Sequence, residues 1–511
     1  MFLAAENASL PRGKVGGVGD VVRDLPTALV DEGWQSTVVT PSYGMFHELP
    51  DANRVGSVEV VFRAASQSVD VFDVPGSEPE VRNIVFEHKL FSPHGRGQVY
   101  CGDEPERPYA TDANKFAFFC ASAAVWIDQL PDTPDIVHLH DWHAAFYYVL
   151  REYASGYERL RRIRTVFTIH NLSYQGIRPL SGDESSLESW FPGLRVTHSA
   201  IRDPYHGECI NAMATAIRLA DKISTVSPTY ANEICEPSND ELGFIGGEGL
   251  EQELARARQS GRLTGILNGC SYKRTTGRRP GWQRILSLAA DQVSAWAKAT
   301  PSSPAHKIAK ARLAALPNRR PKHILASIGR LVRQKVSLFL EELPDGRTAL
   351  ESILDDLGSD GVVIILGSGE PAYEQRLVEI AERAENLLFL CGYSEALAEP
   401  LYRTGSLFLM PSSFEPCGIS QMLAMRAAQP CVVHAVGGLK DTVDDERTGF
   451  IFDGTTARDQ AANFIASVQR ALAVKVEDND RWQRICIRAA SARFSWAESA
   501  RQTIEQLYDD A

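Results

Sequence analysis

The chain has 511 residues, of which 44% are hydrophobic and 23% charged, so it is long enough to form more than one domain. Its formal net charge of -12 argues against a protein that binds nucleic acid or an anionic membrane, because both partners favour a basic excess. The sequence has no apolar run of membrane-spanning length and no secretory leader pattern, and its nine cysteines include no Cys-x-x-Cys pair. We therefore expect a cytoplasmic protein without a disulfide framework or a zinc site.

The first candidate site is the stretch RGKVGGVGDVV near the N-terminus. It is not a Walker loop, because Val15 follows Lys14 where that loop needs a hydroxyl residue. It is not a dinucleotide fingerprint either, because Val22 stands where that motif needs Gly or Ala. Glycine has no Cβ, so the backbone N–H groups freed by Gly16 and Gly17 could approach an anion at a helix start. A tight turn without a ligand is an equally open interpretation.

A helix is predicted directly after this stretch, since apolar residues recur there at helical spacing as far as Gly33. Asp20 is the predicted N-cap of this helix. Lys14 lies just before the helix start, where its charge would add to the helix dipole in attracting a phosphate.

Short β-branched runs alternate with helical patterns in both halves of the chain. The runs are QSTVVTPSYG, DIVHLHDWHAA, RTVFTIHNLSYQG, DKISTVSPTYANEI and TGILNG, then HILASIGRL, GVVIILGSGE, LLFLCGY, SLFLMPSSFEPCG and PCVVHAVGGL. This alternation predicts parallel sheets with ligand sites at the carboxyl ends of the strands. Between the halves, YKRTTGRRPGWQ and ATPSSPAHK suit connection more than core. We expect two Rossmann-like open-sheet α/β domains, residues 1–270 and 271–494, facing a central cleft.

Three histidines and an aspartate crowd the segment HLHDWHAA. His138 and His140 would share one face of a strand, whereas His143 follows the turn, so convergence on a metal is not given and a metal site is disfavoured. His170 and Asn171 end the next strand, where both side chains could hydrogen-bond a ligand.

Charged and small residues also follow the strands of the second half. The segment SIGRLVRQKV places Arg330 and Lys335 after a strand, where they could hold one diphosphate or form a solvated basic turn. The segment MPSSFEPCGISQM places Glu415 between a strand and a helix, where a carboxylate could grip hydroxyls or simply stand in a turn. Gly437 and Gly438 precede another predicted helix and suit either anion approach or turning.

The order of these segments resembles bacterial glycogen synthases and plant starch synthases, which are retaining glucosyltransferases that use a nucleotide-diphosphate glucose. KVGGVGDV is similar to the family's Lys-x-Gly-Gly-Leu-x-Asp-Val motif. Later segments of the chain resemble further signatures of the family, namely HDWHA, TIHNLSYQG, TVSPTYANEI, GILNG, GRLVRQK, PSSFEPCGISQ and GGLKDTV. The resemblance covers nearly the whole chain. It implies a glycosyltransferase-B (GT-B) fold and transfer of glucose from ADP-glucose to the non-reducing 4-hydroxyl of an α-1,4-glucan, with retention and without a metal or another cofactor.

The resemblance also implies a division of labour between the domains. Residues 1–270 would form a catalytic and acceptor domain, and residues 271–494 would bind the nucleotide sugar. The C-terminal helix at residues 495–511 would cross back to the first domain.

The matching motifs carry over a set of site residues. The resemblance implies catalytic roles for Glu415, Arg330, Lys335 and His170, and donor-binding roles for Lys14, Gly16, Gly17, Asp20, Asn171, Asn268, Tyr393, Cys417, Gly418, Ser420, Gly437 and Gly438. Arg330 and Lys335 would hold the diphosphate, and Glu415 would bind glucose hydroxyls. His170 and Asn171 would approach the transferred glucose. The two cations would then stabilise charge on the departing phosphate in place of a metal.

Several positions depart from the family pattern. Cys270 and Ser271 replace an apolar residue and an aspartate, Val336 replaces a glycine and Ser406 replaces an aspartate. The opening MFLAA is short, so a few further upstream residues are expected. The segment after Asn268 keeps two alternatives open, namely a related transferase using UDP-glucose or a small acceptor, and a non-catalytic glycan-binding relative. A nicotinamide oxidoreductase is disfavoured by the missing dinucleotide fingerprint.

Overall fold

The computed structural model of the protein describes residues 1–239, 243–272 and 279–509. Buried β-branched segments form its strands, and amphipathic segments form most of its helices. In chain order the strands are β1 Phe2–Leu3, β2 Thr37–Pro41, β3 Asn53–Phe62, β4 Ala65–Asp73, β5 Arg82–Glu87, β6 Ile136–His140, β7 Arg164–Ile169, β8 Ile177–Pro179, β9 Cys209–Asn211, β10 Lys222–Thr225, β11 Leu263–Gly265, β12 His323–Ile328, β13 Gly361–Gly367, β14 Leu387–Cys391, β15 Leu407–Met410, β16 Cys431–His434 and β17 Phe450–Phe452.

The helices are α1 Gly17–Asp31, α2 Ala110–Gln129, α3 Asp141–Tyr153, α4 Leu187–Trp190, α5 His198–Ile201, α6 Ala212–Leu219, α7 Pro228–Glu233, α8 Glu251–Gln259, α9 Trp282–Ala299, α10 Pro304–Ala315, α11 Arg333–Leu340, α12 Ala349–Leu357, α13 Pro371–Arg383, α14 Glu395–Thr404, α15 Ser420–Arg426, α16 Gly437–Thr442, α17 Ala457–Glu477, α18 Asn479–Ser491 and α19 Trp496–Thr503, which continues as a π-helical turn over Ile504–Tyr508. No helix in the described ranges combines the length and the apolar character that crossing a membrane requires.

The chain divides into two compact units. The first holds Met1–Ser238, Gly246–Gly269 and the chain from Ser495 onward, and the second holds Cys270–Phe494 with the short segment Asn239–Ile245. Within the first unit the C-terminal segment packs beside α1, where the ring of Tyr508 lies 5.1 Å from that of Trp34. The Tyr508 hydroxyl is also 2.8 Å from Nδ1 of His138.

The sheet of the first unit has nine strands among the described residues, in the order β11-β10-β7-β6-β1-β2-β5-β4-β3. Strands β11 to β5 pair in parallel, as expected, but β4 pairs antiparallel with both β3 and β5. The central parts of β3 and β4 alternate buried and exposed residues, which is typical of antiparallel strands with one solvated face. The expectation of parallel strands is therefore wrong at this edge.

The sheet of the second unit has six described strands, all parallel, in the order β14-β13-β12-β15-β16-β17. Its residues are buried almost throughout, because helices cover both faces of a parallel sheet.

The two stretches expected to be connections each reach into a helix of this core. Residues 273–278 of the predicted connection lie outside the described residues, but the chain from Trp282 onward forms α9, whose buried residues are Trp282, Ile285, Ala289 and Val293. α10 begins at Pro304, inside the Pro- and Ser-rich stretch. Proline suits the first helical position, since its missing N–H would be unpaired there in any case. A Pro- and Ser-rich composition therefore occurs here at the start of a helix.

Candidate active site

Several of the predicted site residues lie in loops at the switch points of the two sheets. In the first unit β1 lies between β2 and β6, and in the second β12 lies between β13 and β15. Open α/β sheets bind ligands beyond the carboxyl ends of the strands at such points. Lys14 and Gly16 lie in the loop after β1 and His140 ends β6, while Arg330 follows β12 and Glu415 follows β15.

The glycine-rich loop after β1 is built around an internal carboxylate. The backbone N–H groups of Val15 and Gly16 donate to Oε2 of the buried Glu6 at 2.7 and 2.6 Å, and the Tyr100 hydroxyl donates to Oε1 at 2.8 Å. The N–H of Gly16 is therefore not free for a ligand anion, contrary to the expectation. A carboxylate of the chain itself holds the place that an anion would take at this helix N-terminus.

Two other glycines of the loop differ in what surrounds them. A Cβ on Gly13 would lie 2.2 Å from the carbonyl oxygen of Asn7, so close backbone packing requires glycine there. A Cβ on Gly17 would meet nothing within 4 Å. The tight turn thus explains Gly13 and leaves Gly17 without a packing reason.

Lys14 and Asp20 pair with each other at this loop. Lys14 Nζ lies 2.6 Å from Asp20 Oδ2, and the Lys14 side chain is 47% exposed. The N-cap of α1 is Gly16, and Asp20 lies in the first turn, so the prediction of Asp20 as the N-cap is wrong by four positions. The carboxylate still favours the helix N-terminus through the helix dipole, and it holds Lys14 beside the loop.

A buried histidine cluster lies at the ends of β6 and β7. Nδ1 of His140 is 2.8 Å from Nε2 of His170. His138 contacts the Tyr508 hydroxyl through Nδ1 and the Thr168 hydroxyl through Nε2, at 2.8 and 2.6 Å. The two strand histidines share one face, as predicted, and their rings stack at 4.6 Å.

Burial keeps these imidazoles neutral. It lowers the pKa of His170 to about 3 and the pKa of His143 to about 3, and it lowers the pKa of His140 well below the usual range. His143 lies among aromatic rings instead of facing His138 and His140, with Phe116 4.7 Å and Trp142 4.4 Å away. Among the described residues there is no group of three or more His, Cys, Asp or Glu side chains placed to hold a metal ion.

Asp141 fixes the backbone at the end of β7. Its Oδ1 accepts the N–H of His170 at 2.8 Å and that of Asn171 at 3.5 Å, while Asn171 Oδ1 accepts the N–H of Ser173. Asp141 begins α3 with a φ of +53°, a strained region for a non-glycine residue. Burial raises the pKa of Asp141 to about 7, against the two hydrogen bonds that favour its charged form.

In the second unit an ion pair joins the first turn of α11 to the loop after β15. Lys335 Nζ contacts Glu415 Oε2, and the Ser412 hydroxyl donates to the same oxygen at 3.2 Å. The Glu415 side chain is 7% exposed and that of Lys335 is 21% exposed. The structure thus brings together two of the predicted catalytic residues, which lie 80 positions apart.

The glycines near Glu415 pack against its backbone. Gly437 and Gly438 are the first two residues of α16 instead of preceding it. A Cβ on Gly437 would lie 2.0 Å from the carbonyl oxygen of Glu415, and one on Gly438 would lie 2.3 Å from that of Cys417. Gly418 has a φ of +75°, which glycine adopts without strain. These close contacts favour the turn interpretation for Gly437 and Gly438, because the absence of a Cβ lets the loop that holds Glu415 approach α16 closely.

The remaining predicted residues are more dispersed. Arg330 is exposed after β12, and the Ser420 hydroxyl lies 3.5 Å from the Ile328 carbonyl oxygen. Tyr393 is 65% exposed, and Asn268 is half-buried in the first unit. The sequence did not single out Glu6 or Ser412 as site residues and considered His140 only as a metal ligand, although each lies within or beside a segment that was already singled out.

A solved structure of high similarity supports the class to which this fold belongs. The catalytic domain of starch synthase IV from Arabidopsis thaliana, solved with ADP and acarbose, matches with a TM-score of 0.77 and 28% identity over 99% of this chain and 97% of that one. Two Rossmann-like units with loops gathered at their switch points are those of a glycosyltransferase with the GT-B fold.

Sequence comparisons narrow the class to a family. The starch synthase catalytic domain profile matches residues 1–256, and the glycosyl transferases group 1 profile matches residues 322–473. The glycogen synthases of Streptococcus gordonii and an Anaeromyxobacter species are 33% and 34% identical, each over 99% of this chain and 98% of theirs. The chain belongs to the glycogen and starch synthase family of retaining glycosyltransferases, and the predicted fold and enzyme class are confirmed. Such an enzyme uses a nucleotide-sugar donor and a glucan acceptor.

Proposed function

We propose that the enzyme transfers glucose from ADP-glucose to the non-reducing 4-hydroxyl of an α-1,4-glucan, in the cytoplasm and without a metal. The ion pair of Lys335 and Glu415 at the switch point of the second unit carries this proposal. The similar starch synthase was solved with ADP and acarbose, which supports an adenine nucleotide donor and a glucan acceptor. We assign the nucleotide sugar to the second unit and the acceptor to the first.

The reaction breaks the bond between glucose C1 and the phosphate oxygen and forms a bond from C1 to the acceptor 4-oxygen on the same face. The acceptor proton leaves with the departing phosphate. Arg330 and Lys335 lie within seven residues of the end of β12, and their charges would stabilise the phosphate as it gains negative charge. Glu415 would then exchange its bond with Lys335 for bonds to sugar hydroxyls.

In the first unit, Lys14 is the exposed cation of the glycine loop, and we assign it to the donor phosphate, with Asp20 as its partner in the free enzyme. His170 and Asn171 would donate hydrogen bonds to the transferred glucose. Gly17, Asn268, Tyr393, Cys417, Gly418 and Ser420 remain predicted donor contacts.

Two variants at the ion pair test this assignment. Lys335→Met and Glu415→Gln should each lower kcat for glucan extension by about a hundredfold or more, because each removes a charge that acts on the reacting sugar phosphate. Arg376→Met, which removes an exposed cation of the same unit, is the matched control and should keep wild-type activity. Normal turnover in both ion-pair variants would contradict the site assignment.

Donor and acceptor choice can be tested separately. A panel of ADP-glucose and UDP-glucose with glycogen, maltooligosaccharides and small glycosides should show the highest kcat/KM for ADP-glucose with glycogen. A preference for UDP-glucose or a small acceptor would support the related-transferase alternative that the divergent segment after Asn268 left open.

A further inference from the structure

His140 is enclosed at the end of β6, next to a residue with a proposed role in the reaction. It is 1% exposed, whereas His170 is 9% exposed. Its ring packs against two other rings, with the ring centroids of Phe2 and His138 at 5.6 and 4.6 Å. Nδ1 faces Nε2 of His170 at 2.8 Å. In the described part of the chain Nε2 of His140 is buried and has no hydrogen-bond partner.

The short contact restricts the tautomers of both rings. A neutral imidazole carries one N–H donor and one acceptor nitrogen, so either His140 Nδ1 or His170 Nε2 carries the proton between them. If His170 donated, the proton of His140 would lie on its enclosed Nε2, where it has no acceptor. If His140 donates, its enclosed Nε2 is a bare lone pair. Buried N–H groups without a partner are rarer and more costly than unused acceptors, so the second arrangement is favoured.

We infer that His140 is a positioning residue that donates from Nδ1 to Nε2 of His170 and thereby keeps the His170 proton on Nδ1, as a donor toward a hydroxyl of the transferred sugar. The inference rests on the role proposed above for His170. The neighbouring Asp141 holds the backbone N–H of the same residue at 2.8 Å. Consecutive residues at the end of β6 therefore fix both the backbone and the ring of His170.

A matched pair of variants separates this role from packing. The side chains of Asn and Leu have the same number of heavy atoms and the same branching at Cγ, but His140→Asn places an amide N–H close to the position of Nδ1, and His140→Leu offers no donor. His140→Leu should lower kcat about 10- to 100-fold, the range typical of a lost orienting partner, with a smaller change in KM for the glucan. His140→Asn should stay within about fivefold of wild type, since it keeps the donor. Equal losses in both variants would overturn the inference.

The tautomer can be read without any substrate. Long-range ¹H–¹⁵N correlation spectra of protein labelled with ¹⁵N-histidine, with the His170 signals assigned by His170→Gln, should show the proton of His170 on Nδ1 in wild type and His140→Asn. His140→Leu should show a mixture of tautomers. A proton on Nε2 of His170 in wild type would overturn the inference. If the tautomers are as expected but His170→Gln keeps full activity, the proposed role of His170 fails while the His140 contact stands.

Discussion

At the residue scale, two cations of the candidate site already have internal partners. Lys335 contacts Glu415, and Lys14 contacts Asp20 at 2.6 Å. The glycine-loop amides are likewise taken by Glu6. Each such contact holds a side chain or loop in place before a ligand arrives, which lowers the ordering cost of binding. The donor phosphates would therefore have to displace or share carboxylates of the chain itself.

The buried carboxyl of Asp141 links stability to pH. Because burial raises its pKa from 3.8 to about 7, this carboxyl is more protonated in the folded protein than in the unfolded chain between about pH 4 and pH 7, and its contribution to stability falls as pH rises through that window. Asp141→Asn removes this ionisation and keeps an acceptor oxygen for the His170 N–H. The buried histidines, whose pKa burial lowers, act in the opposite direction in both proteins and cancel in the comparison. The free energy of unfolding of wild type minus that of Asp141→Asn, from urea titrations at several pH values, should therefore fall between pH 4 and pH 7. Parallel curves would show that Asp141 titrates normally.

At the element scale, the glycines at the loop before α1 differ in what surrounds their Cβ positions. Gly13 lies against the Asn7 carbonyl, whereas Gly17 opens α1 with free space at its Cβ position. Packing therefore gives no reason for glycine at that helix start, where a donor contact was proposed above. An alanine substitution, which adds one methyl group, therefore tests the roles of Gly13 and Gly17 separately.

Gly13→Ala and Gly17→Ala should differ in stability and in kinetics. Gly13→Ala forces the Asn7 backbone to move and should cost more than about 2 kcal/mol of unfolding free energy, while Gly17→Ala should stay within about 0.5 kcal/mol of wild type. If the loop holds the donor, Gly17→Ala should also raise KM for the nucleotide sugar. Thermal and urea unfolding measure the first effect and initial rates the second. A large loss of stability in Gly17→Ala would contradict the open geometry.

The sequence predicted the buried parallel strands better than the strands at the edge of the first sheet. Nine of the ten β-branched runs contain a whole strand and the tenth, TGILNG, overlaps the end of β11, because burial on both faces of a parallel sheet leaves a continuous apolar signal. The antiparallel strands β3 and β4 were missed, since solvated edges carry a weaker alternating pattern. The start of α10 was mistaken for connection because a Pro at a helix start resembles a Pro in a loop.

Site residues that belong to a sequence motif could be predicted from the sequence. Contacts between residues that are distant in sequence could not, because the fold brings those residues together. Lys335 and Glu415 were both expected, but their contact depends on β12 and β15 being neighbours in the sheet. Glu6 satisfies amides nine and ten residues away, and no local pattern distinguishes it from a solvent-exposed carboxylate. His140 was weighed as a metal ligand, while its actual partner is an imidazole on the adjacent strand.

At the scale of the whole molecule, each of the two units is an open sheet with site residues at its switch point. The similarity to glycogen synthases extends over 99% of the chain, so both units belong to the enzyme and neither is an unrelated addition. Those similarities fix the reaction class, and the proposals of donor, acceptor and metal independence follow from the site. One assay of the complete chain can address all three.

The most direct measurement is release of ADP or UDP from ADP-glucose or UDP-glucose by the purified protein in EDTA, with and without glycogen. We expect ADP release that depends on glycogen and continues in EDTA, accompanied by lengthened glucan chains. Release of neither nucleotide under any of these conditions would contradict the central claim and support a non-catalytic glycan-binding protein. Activity lost in EDTA and restored by a divalent cation would contradict the proposal that Arg330 and Lys335 act in place of a metal.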